Sequence, residues 1–316
     1  MPLSRSRGAN AAEEICGSAA SGGQWGRNDA GSIRDCAGEK VCGGRHRQVE
    51  WFQPEQTADR KRKGAMDELR RVALVTGSGK KRVGNVVAEA LAQRGFAIAL
   101  HYRSSADEAA ATVEAFRASG CPCRAFQADV ADERQVAEMF RGVVEWSGRL
   151  DVLVTCASVW EPGSWKDVTA AELRRQWEIN TLGTSLCCLE AGRIMAAQPE
   201  GGAIVTVGDW AIERPYPNYF AYFVSKGAIP TLTRALAVEL ARENPRIRVN
   251  AVLPGPVMLP ENLSQPEVQG AVAGTLLKRP GRPENVAQAV LSFIDNDYVT
   301  GVCLPVDGGR TIGGTT

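Results

Sequence analysis

A tyrosine and a lysine stand four residues apart in the stretch VGDWAIERPYPNYFAYFVSK, residues 207–226. At this spacing Tyr222 and Lys226 would lie one turn apart on the same face of a helix. A phenol can donate a proton beside an atom that receives a hydride, but its ordinary pKa of about 10 is too high for efficient exchange at neutral pH. A neighbouring ammonium favours the phenolate, so we expect Lys226 to lower the pKa of Tyr222. The pair predicts a proton donor for the reduction of a C=O or C=N bond.

Asp209 stands thirteen residues before Tyr222. An ionised carboxylate accepts hydrogen bonds and donates none, and it repels the alkoxide that develops when a ketone is reduced. We expect Asp209 to raise the pKa of Tyr222 and so to keep the phenol protonated. This favours a reducible nitrogen heterocycle, whose N–H groups can meet the carboxylate, over a simple ketone. The alternative interpretation of Asp209 is a surface N-cap of a short helix.

The elements that must position these residues alternate along the chain from Arg71 onward. Seven short apolar runs are typical of strands buried on both faces. They are residues 72–76, 96–102, 123–128, 151–156, 203–207, 248–253 and 301–306. Helical patterns fill the gaps, as in GNVVAEALAQRG, residues 84–95, which closes with a glycine. The alternation predicts an α/β fold: a Rossmann-type, doubly wound parallel sheet of about seven strands in a single domain, residues 66–316.

Residues 1–65 differ from the rest of the chain. They are rich in Gly, Ser, Arg and Asn and show no sustained hydrophobic period. Such a segment buries too little apolar surface to offset the entropy of ordering it, so we expect a disordered extension. A second interpretation is that the segment is not made, because Met66 opens MDELRRVALVTG and a start there leaves an ordinary domain length. Both interpretations stay open.

Composition limits the partners and the compartment. The 316 residues carry a formal charge of +1, which predicts no nucleic-acid and no membrane-surface partner. No apolar run reaches the roughly 18 residues of a membrane span, and the N-terminus lacks the apolar core of a secretory leader. Nine scattered cysteines without a CxxC pair and only two histidines, His46 and His101, predict no metal site. We therefore expect a protein of the reducing cytoplasm that acts on a small molecule.

The segment TGSGKKRVG, residues 76–84, follows the first strand and opens the first helix. In that position glycines let the backbone approach a pyrophosphate, and N–H groups at the helix N-terminus bind it. The segment therefore predicts a dinucleotide site, although any tight strand–helix turn also favours glycine. The residues expected to line this site are Gly77, Ser78, Lys81, Arg82 and Gly84.

The end of the second strand bears on the choice of cofactor. A fold that prefers NAD usually carries an acidic residue there, which accepts from the ribose 2′-hydroxyl. This chain has Arg103 and Ser104 in its place, and Lys80, Lys81 and Arg82 crowd the glycine-rich turn. A guanidinium can contact a 2′-phosphate with two N–H groups, whereas a carboxylate would repel it. Taken together, these residues favour NADPH. The alternative is that they are solvated charges of exposed loops.

These motifs resemble those of the short-chain dehydrogenase/reductase family, over residues 70 to 310. Besides the glycine-rich turn and the Tyr222–Lys226 pair, the chain carries ADV at 128–130, TCAS at 155–158 where the family often has NNAG, Asn180 in EINTLG, PGPV at 254–257 and DGG at 307–309. Their order and spacing are more specific than any one motif. The resemblance implies an NADP-dependent oxidoreductase that transfers a hydride, with Tyr222 as proton donor.

The resemblance also implies roles for single residues. Catalysis would rest on Asn180, Asp209, Tyr222 and Lys226, with Asn180 holding a water that links Lys226 to solvent. The cofactor would further be contacted by Asp129, Val130, Ala157, Pro254, Gly255 and Val257, and by Tyr222 and Lys226. Residues 258–280 would form a mobile cover over the substrate pocket. Helices around the catalytic residues form subunit interfaces in this family, which implies a homotetramer or homodimer.

Two departures from the common family pattern resemble the pteridine reductases. Those enzymes share the form TGxxxRxG in the glycine-rich turn, as in Arg82–Gly84 here, and an aspartate at the place of Asp209. In them an aromatic residue shortly after the NNAG-like segment stacks on the pterin, and Trp160 stands at the matching place. The resemblance implies reduction of a dihydropterin or dihydrofolate, with Trp160, Asp209 and Arg82 at the substrate. The turn here is one residue longer than the pattern, and Trp160 has the alternative role of a core cap.

Two other functions stay open. Reduction of a 3-oxoacyl thioester or another ketone is the commonest task of this fold, and it predicts a hydroxyl at position 209, where the chain has aspartate. A catalytically silent NADP(H)-sensing protein needs no proton donor, so the intact Asn180, Tyr222 and Lys226 argue against it. A measurement of substrate turnover distinguishes the two reductase functions from the NADP(H)-sensing protein.

Overall fold

A computed structural model of the chain describes residues 70–259 and 263–313, which fall in one compact unit, Lys63–Thr316. Within the described residues the strands are β1 (Val72–Thr76), β2 (Ala97–Tyr102), β3 (Cys123–Gln127), β4 (Val152–Thr155), β5 (Gly202–Val207), β6 (Ile247–Pro254) and β7 (Cys303–Val306). They form a single sheet in the order β3-β2-β1-β4-β5-β6-β7. Every neighbouring pair is parallel. The predicted fold class is confirmed.

All seven predicted strands are present, with ends shifted by two residues or fewer. The largest shift is at β7, which begins at Cys303 rather than at residue 301. Gly301 has a φ of +75°, a left-handed conformation that an extended strand does not accommodate. The apolar runs are reliable for β1, β2 and β4 to β6 because these strands are covered on both faces, whereas the edge strands β3 and β7 expose part of their side chains.

Helices cover both faces of the sheet. Within the described residues they are α1 (Val83–Gln93), α2 (Ala106–Ala118), α3 (Glu133–Ser147), α4 (Ala170–Trp177), α5 (Gly183–Ala196), α6 (Phe220–Lys226), α7 (Ile229–Glu243), α8 (Gln265–Ala273) and α9 (Pro283–Asp295). Two apolar cores result: α3, α5 and α7 pack with Leu74 and Leu153, and α1, α2 and α9 pack with Val75 and Val154. Alternate residues of one strand therefore serve opposite cores.

The strand order reverses between β1 and β4, and the loops after these two strands meet at the carboxyl edge of the sheet. Gly77 follows β1 with a φ of +65°. A Cβ at Gly77 would lie 2.9 Å from the Cα of Ala157, which follows β4. Only glycine fits there, because the two backbones are in contact. In open α/β sheets this crevice is where ligands bind.

Other sequence predictions concern the rest of the chain. The predicted disorder of residues 1–65, and the alternative start at Met66, lie outside the described residues. The described part of the predicted cover forms α8, which buries no side chain. Across residues 70–259 and 263–313, no helix has the length and apolar character to cross a membrane. In the same ranges no group of His, Cys, Asp and Glu side chains could hold a metal ion.

Candidate active site

Asp209 and Tyr222 are joined directly. The Tyr222 hydroxyl donates to Oδ2 of Asp209 at 2.7 Å, and Oδ1 of the same carboxylate accepts from the backbone N–H of Ala211 at 2.8 Å. The second bond caps the short 3₁₀ helix Trp210–Ile212. Both interpretations of Asp209 therefore describe it in part: it caps a helix and it contacts the tyrosine. It is a half-buried cap rather than a surface one.

Burial governs the pKa of Tyr222, whose side chain lies in the core at 5% exposure. Burial first, and then the charge and the hydrogen bond of Asp209, raise the pKa of Tyr222 well above its ordinary value. The direction expected from Asp209 is therefore observed. The lowering expected from Lys226 is not found, and the lysine is not among the groups that shift the pKa of Tyr222. The Lys226 ammonium donates instead to the backbone oxygen of Val207 at 2.9 Å.

The pKa values of Asp209 and Lys226, the other two ionisable groups of the cluster, are both shifted in the direction that favours the neutral form. Burial raises the pKa of Asp209, although its bonds to Ala211 and Tyr222 and the charges of Lys226 and Arg310 oppose the rise. Burial lowers the pKa of Lys226 from 10.5 to about 8, against the opposing charge of Asp209. A carboxyl group shifted upward beside an ammonium shifted downward is typical of sites that move protons near neutral pH.

Asn180 lies in the π-helical turn Glu178–Leu182 and is fully buried. Its Oδ1 accepts from the Ser158 hydroxyl and the Val159 N–H, and its Nδ2 donates to the Val159 oxygen and the Ser225 hydroxyl, all at 2.9 Å. These four bonds fill every hydrogen-bonding position of the amide. The side chain therefore ties the loop after β4 to α6, and a water at Asn180 could be held only by its backbone oxygen.

Trp160 belongs to an aromatic wall made of Trp160, Tyr216, Tyr219 and Trp210. Its indole stacks on Tyr219 with ring centroids 4.7 Å apart and planes 13° apart, and Tyr219 meets Tyr216 edge to face with centroids 5.2 Å apart. Tyr216 in turn stacks on Trp210, the residue after Asp209, at 6.2 Å. Trp160 is 40% exposed, so it is not a core cap. The two tyrosines were not predicted, although their spacing in RPYPNYFAY offered a signal.

His101 holds the glycine-rich turn in place. The Gly77 N–H donates to Nδ1 of His101 at 2.9 Å, and the N–H groups of Ser78 and Gly79 donate to its backbone oxygen at 3.1 and 3.2 Å. Nε2 must then donate to the Ala128 oxygen at 3.0 Å, which selects the neutral tautomer. Burial lowers the pKa of His101 and so favours that neutral form. A histidine inside a buried strand was the signal that could have revealed this contact.

The N–H groups of Gly77 and Ser78 are thus occupied within the protein. Among the described residues, no acceptor is found for the backbone N–H groups of residues 80–84, so the open donors of the turn lie at the N-terminus of α1. Lys81 and Arg82 are exposed there. Among the described residues, no hydrogen bond or cation–ring contact joins Arg82 to Trp160 or Asp209, the two other residues predicted to meet the substrate.

Arg103 and Ser104 lie exposed after β2, at the same edge of the sheet. The pKa of Glu161 is lowered first by its hydrogen bond to Arg175 and further by the charge of Arg103. Arg103 therefore lies within electrostatic range of the loop that follows β4. Arg103, the residue predicted to bind a 2′-phosphate, therefore lies at the crevice and apart from the Asp209–Tyr222 cluster.

The remaining predicted cofactor residues follow strands at this edge. They are Asp129, Val130, Ala157, Pro254, Gly255 and Val257. The N–H of Ala157 donates to the Thr76 hydroxyl at 3.0 Å, which joins the ends of β4 and β1. A Cβ at Gly255 would lie 2.6 Å from the Cα of Asp307, so the PGPV and DGG motifs pack backbone to backbone.

Known proteins share this architecture over most of the chain. The family model described as enoyl-(acyl carrier protein) reductase matches residues 78–311. An uncharacterized oxidoreductase of Methylorubrum extorquens is 36% identical over 247 residues, 76% of this chain and 97% of that protein. A tetrahydroxynaphthalene reductase of Pyricularia oryzae is 32% identical, over 76% of this chain and 89% of that protein. The crystal structure of acetoin dehydrogenase from Enterobacter cloacae matches with a TM-score of 0.71 and 32% identity, covering 78% of this chain and 97% of that chain.

The parallel sheet, the glycine-rich turn at its switch point and the buried Tyr222–Lys226 pair define an oxidoreductase of the kind that uses a nicotinamide cofactor. The chain belongs to the short-chain dehydrogenase/reductase family. The resemblance drawn from the sequence motifs is confirmed at this level.

Proposed function

We propose that the protein is an NADPH-dependent reductase of a pteridine, a dihydropterin or a dihydrofolate. The observation that carries this proposal is the hydrogen bond of 2.7 Å from the Tyr222 hydroxyl to the Asp209 carboxylate. A carbonyl reductase needs a hydrogen-bond donor where this carboxylate stands. A carboxylate only accepts, so it suits a ring that presents N–H groups.

The glycine-rich turn fits a dinucleotide. Gly77 has room for no Cβ, and the backbone N–H groups of residues 80–84 have no acceptor within the described residues. These donors would bind the pyrophosphate at the start of α1. Arg103 and Ser104, with no acidic residue at the end of β2, support the form that carries a 2′-phosphate. When bound, NADPH supplies the hydride.

The residues of the cluster would then handle the proton. As the C=N bond of the ring gains a hydride at carbon, its nitrogen takes the proton of the Tyr222 hydroxyl, and a phenolate is left. Asp209 lies within hydrogen-bond distance of that oxygen and its raised pKa lets it carry a replacement proton. Lys226, charged below a pKa of about 8, stabilises the negative charge of the cluster.

The aromatic wall supports a flat ring system as substrate. Tyr219 covers one face of the Trp160 indole, and Trp160 is still 40% exposed. A ring laid on the other face would gain aromatic stacking. The name of the tetrahydroxynaphthalene reductase gives one relative a flat bicyclic substrate, the same shape as a pteridine.

Further proposals concern the whole protein. We infer that residues 66–316 form one NADP-binding domain, that the protein works in the cytoplasm, and that it assembles as a homotetramer or homodimer. The exposed apolar side chains Trp177, Phe220 and Val224, at 46%, 48% and 52% exposure on α4 and α6, support a subunit interface there.

The test measures NADPH oxidation by the full-length chain with a dihydropteridine and with an acetoacetyl thioester. It compares the wild type, Asp209→Ser and the surface control Asp167→Ser. We expect pteridine turnover that falls about a hundredfold in Asp209→Ser and is unchanged in the control. Thioester turnover that survives or rises in Asp209→Ser, with no pteridine turnover in the wild type, would replace the proposal by a general carbonyl reductase. Cofactor binding without turnover of any substrate would favour the sensor.

A further inference from the structure

Arg310 lies on the segment that follows β7 and reaches back to the catalytic cluster. Its guanidinium carbon stands 4.5 Å from the centroid of the Trp210 ring. Burial raises the pKa of Asp209, and the positive charge of Arg310 helps to oppose this rise. The guanidinium therefore lies at the edge of the aromatic wall, within electrostatic range of the carboxylate that contacts Tyr222.

Arg310 is held by a hydrogen bond of its guanidinium and by a hydrogen bond of its backbone. Its Nη1 donates to the backbone oxygen of Ala271 in α8 at 2.9 Å. Its own backbone oxygen accepts from Nη1 of Arg214 at 2.8 Å. Arg310 thus joins α8, which belongs to the predicted cover, to Trp210 of the aromatic wall, and both border the proposed substrate site.

Arg310 has no counter-ion among the residues that the structure describes. The two nearby carboxylates have other donors: Asp209 binds the Tyr222 hydroxyl and the Ala211 N–H. Asp307 accepts from the Gly309 N–H at 2.9 Å and from the N–H and hydroxyl of Thr311 at 2.6 Å. Over the same described residues, Nε and Nη2 of Arg310 have no hydrogen-bond acceptor.

A half-buried cation without a counter-ion is unfavourable, and burial lowers the pKa of Arg310 accordingly. Such a group is stabilised when a ligand brings an anionic oxygen to its open N–H donors. We propose that Arg310 is a specificity-determining residue that binds a carboxylate or phosphate of the substrate. The inference rests on the proposed function only in placing the substrate at Asp209 and Tyr222.

The experiment uses matched substrates that differ in charge. Dihydrofolate carries carboxylates and dihydrobiopterin does not; acetoacetyl-coenzyme A carries phosphates and acetoacetyl-N-acetylcysteamine does not. The full-length wild type is compared with Arg310→Gln, Arg310→Lys and Arg141→Gln, a control at an exposed residue of α3. For the charged substrate of the pair that turns over, we expect Arg310→Gln to raise KM about tenfold with kcat nearly unchanged. Arg310→Lys should recover part of the loss, and the neutral substrate should show no change.

The outcomes separate this inference from the proposed function. Turnover of the thioester pair alone removes the pteridine proposal, yet it still tests Arg310 through the difference between the two thioesters. If no substrate turns over, tryptophan fluorescence titrations of the NADPH-loaded protein with the same four compounds give the comparison. Equal effects of Arg310→Gln on charged and neutral compounds, with an unchanged melting temperature, would overturn the inference, as would no effect at all.

Discussion

The glycine-rich turn and the Asp209–Tyr222–Lys226 cluster lie at the same edge of the sheet, yet they are stabilised by different interactions. At the turn, one neutral histidine accepts from three backbone N–H groups, and among the described residues no ionised side chain hydrogen-bonds the turn. At the cluster, three titratable side chains are withdrawn from water, and each has a displaced pKa. The turn is held in a fixed shape, whereas the cluster has the shifted pKa values that are typical of sites that exchange protons.

The largest expected effect isolates the cluster from the turn. Tyr222→Phe removes the proposed proton donor and should lower kcat about a thousandfold. The affinity for NADPH should stay within about fivefold of wild type, because one hydroxyl contact is lost while the turn keeps its shape. Steady-state rates and a fluorescence titration with NADPH check the two parts. A loss of cofactor affinity as large as the loss of kcat would show that the two regions are not independent.

The stability of the cluster should depend on pH. The pKa of Lys226 falls from 10.5 to about 8 on folding, so the unfolded chain binds this proton more tightly. The resulting destabilisation, roughly 3 kcal/mol, is fully present below about pH 8 and is lost as the pH rises toward the unfolded pKa. Lys226→Met should therefore be inactive but more stable than wild type at about pH 7. The lost bond to Val207 should reduce this gain in the free energy of unfolding by about 1 kcal/mol.

Urea unfolding at about pH 7 and about pH 10 measures this difference, which should shrink at the higher pH. Lys166→Met, at an exposed residue, is the control and should leave stability unchanged at both pH values. A Lys226→Met protein less stable than wild type at the lower pH would contradict the account of the cluster.

The next prediction tests whether Arg103 determines the preference for NADPH over NADH. Arg103→Asp places an acidic residue where a 2′-phosphate would lie. We expect the ratio of kcat/KM for NADPH over NADH to fall about thirtyfold, the value of one charge-assisted contact. Arg141→Asp on α3 should leave that ratio unchanged. A wild-type protein that prefers NADH would refute the proposed preference for NADPH. It would leave the proposed role of Tyr222 unaffected.

The smallest expected effect concerns His101. Leucine cannot accept from the Gly77 N–H or donate to the Ala128 oxygen, so His101→Leu should weaken NADPH binding about tenfold. Asparagine keeps an acceptor and a donor, so His101→Asn should lie close to wild type. At saturating NADPH both variants should retain kcat, which a titration and a kcat measurement together check. Unchanged affinity in His101→Leu would mean that the turn holds its shape without the histidine.

The sequence patterns predicted most of the fold because they act over short distances. Strands buried on both faces leave continuous apolar runs, and only β7 moved by two residues, where Gly301 is left-handed. The residues of the candidate site were proposed from their types, and the sequence did not indicate their contacts. Asp209 had two interpretations, and the structure combines them because its two oxygens face different donors. The roles of His101 and Arg310 depend on partners far away along the chain, which no local pattern carries.

By itself the sequence determined the class of protein, since the alternation of strand and helix, the glycine-rich turn and the Tyr222–Lys226 spacing are all local features. Only the tertiary structure decided how the charges behave. The pKa of Tyr222 rises instead of falling, because packing buries the phenol beside the Asp209 carboxylate. The tertiary structure also placed the Arg310 guanidinium over Trp210, since a contact between distant segments exists only once the sheet has brought them to one edge.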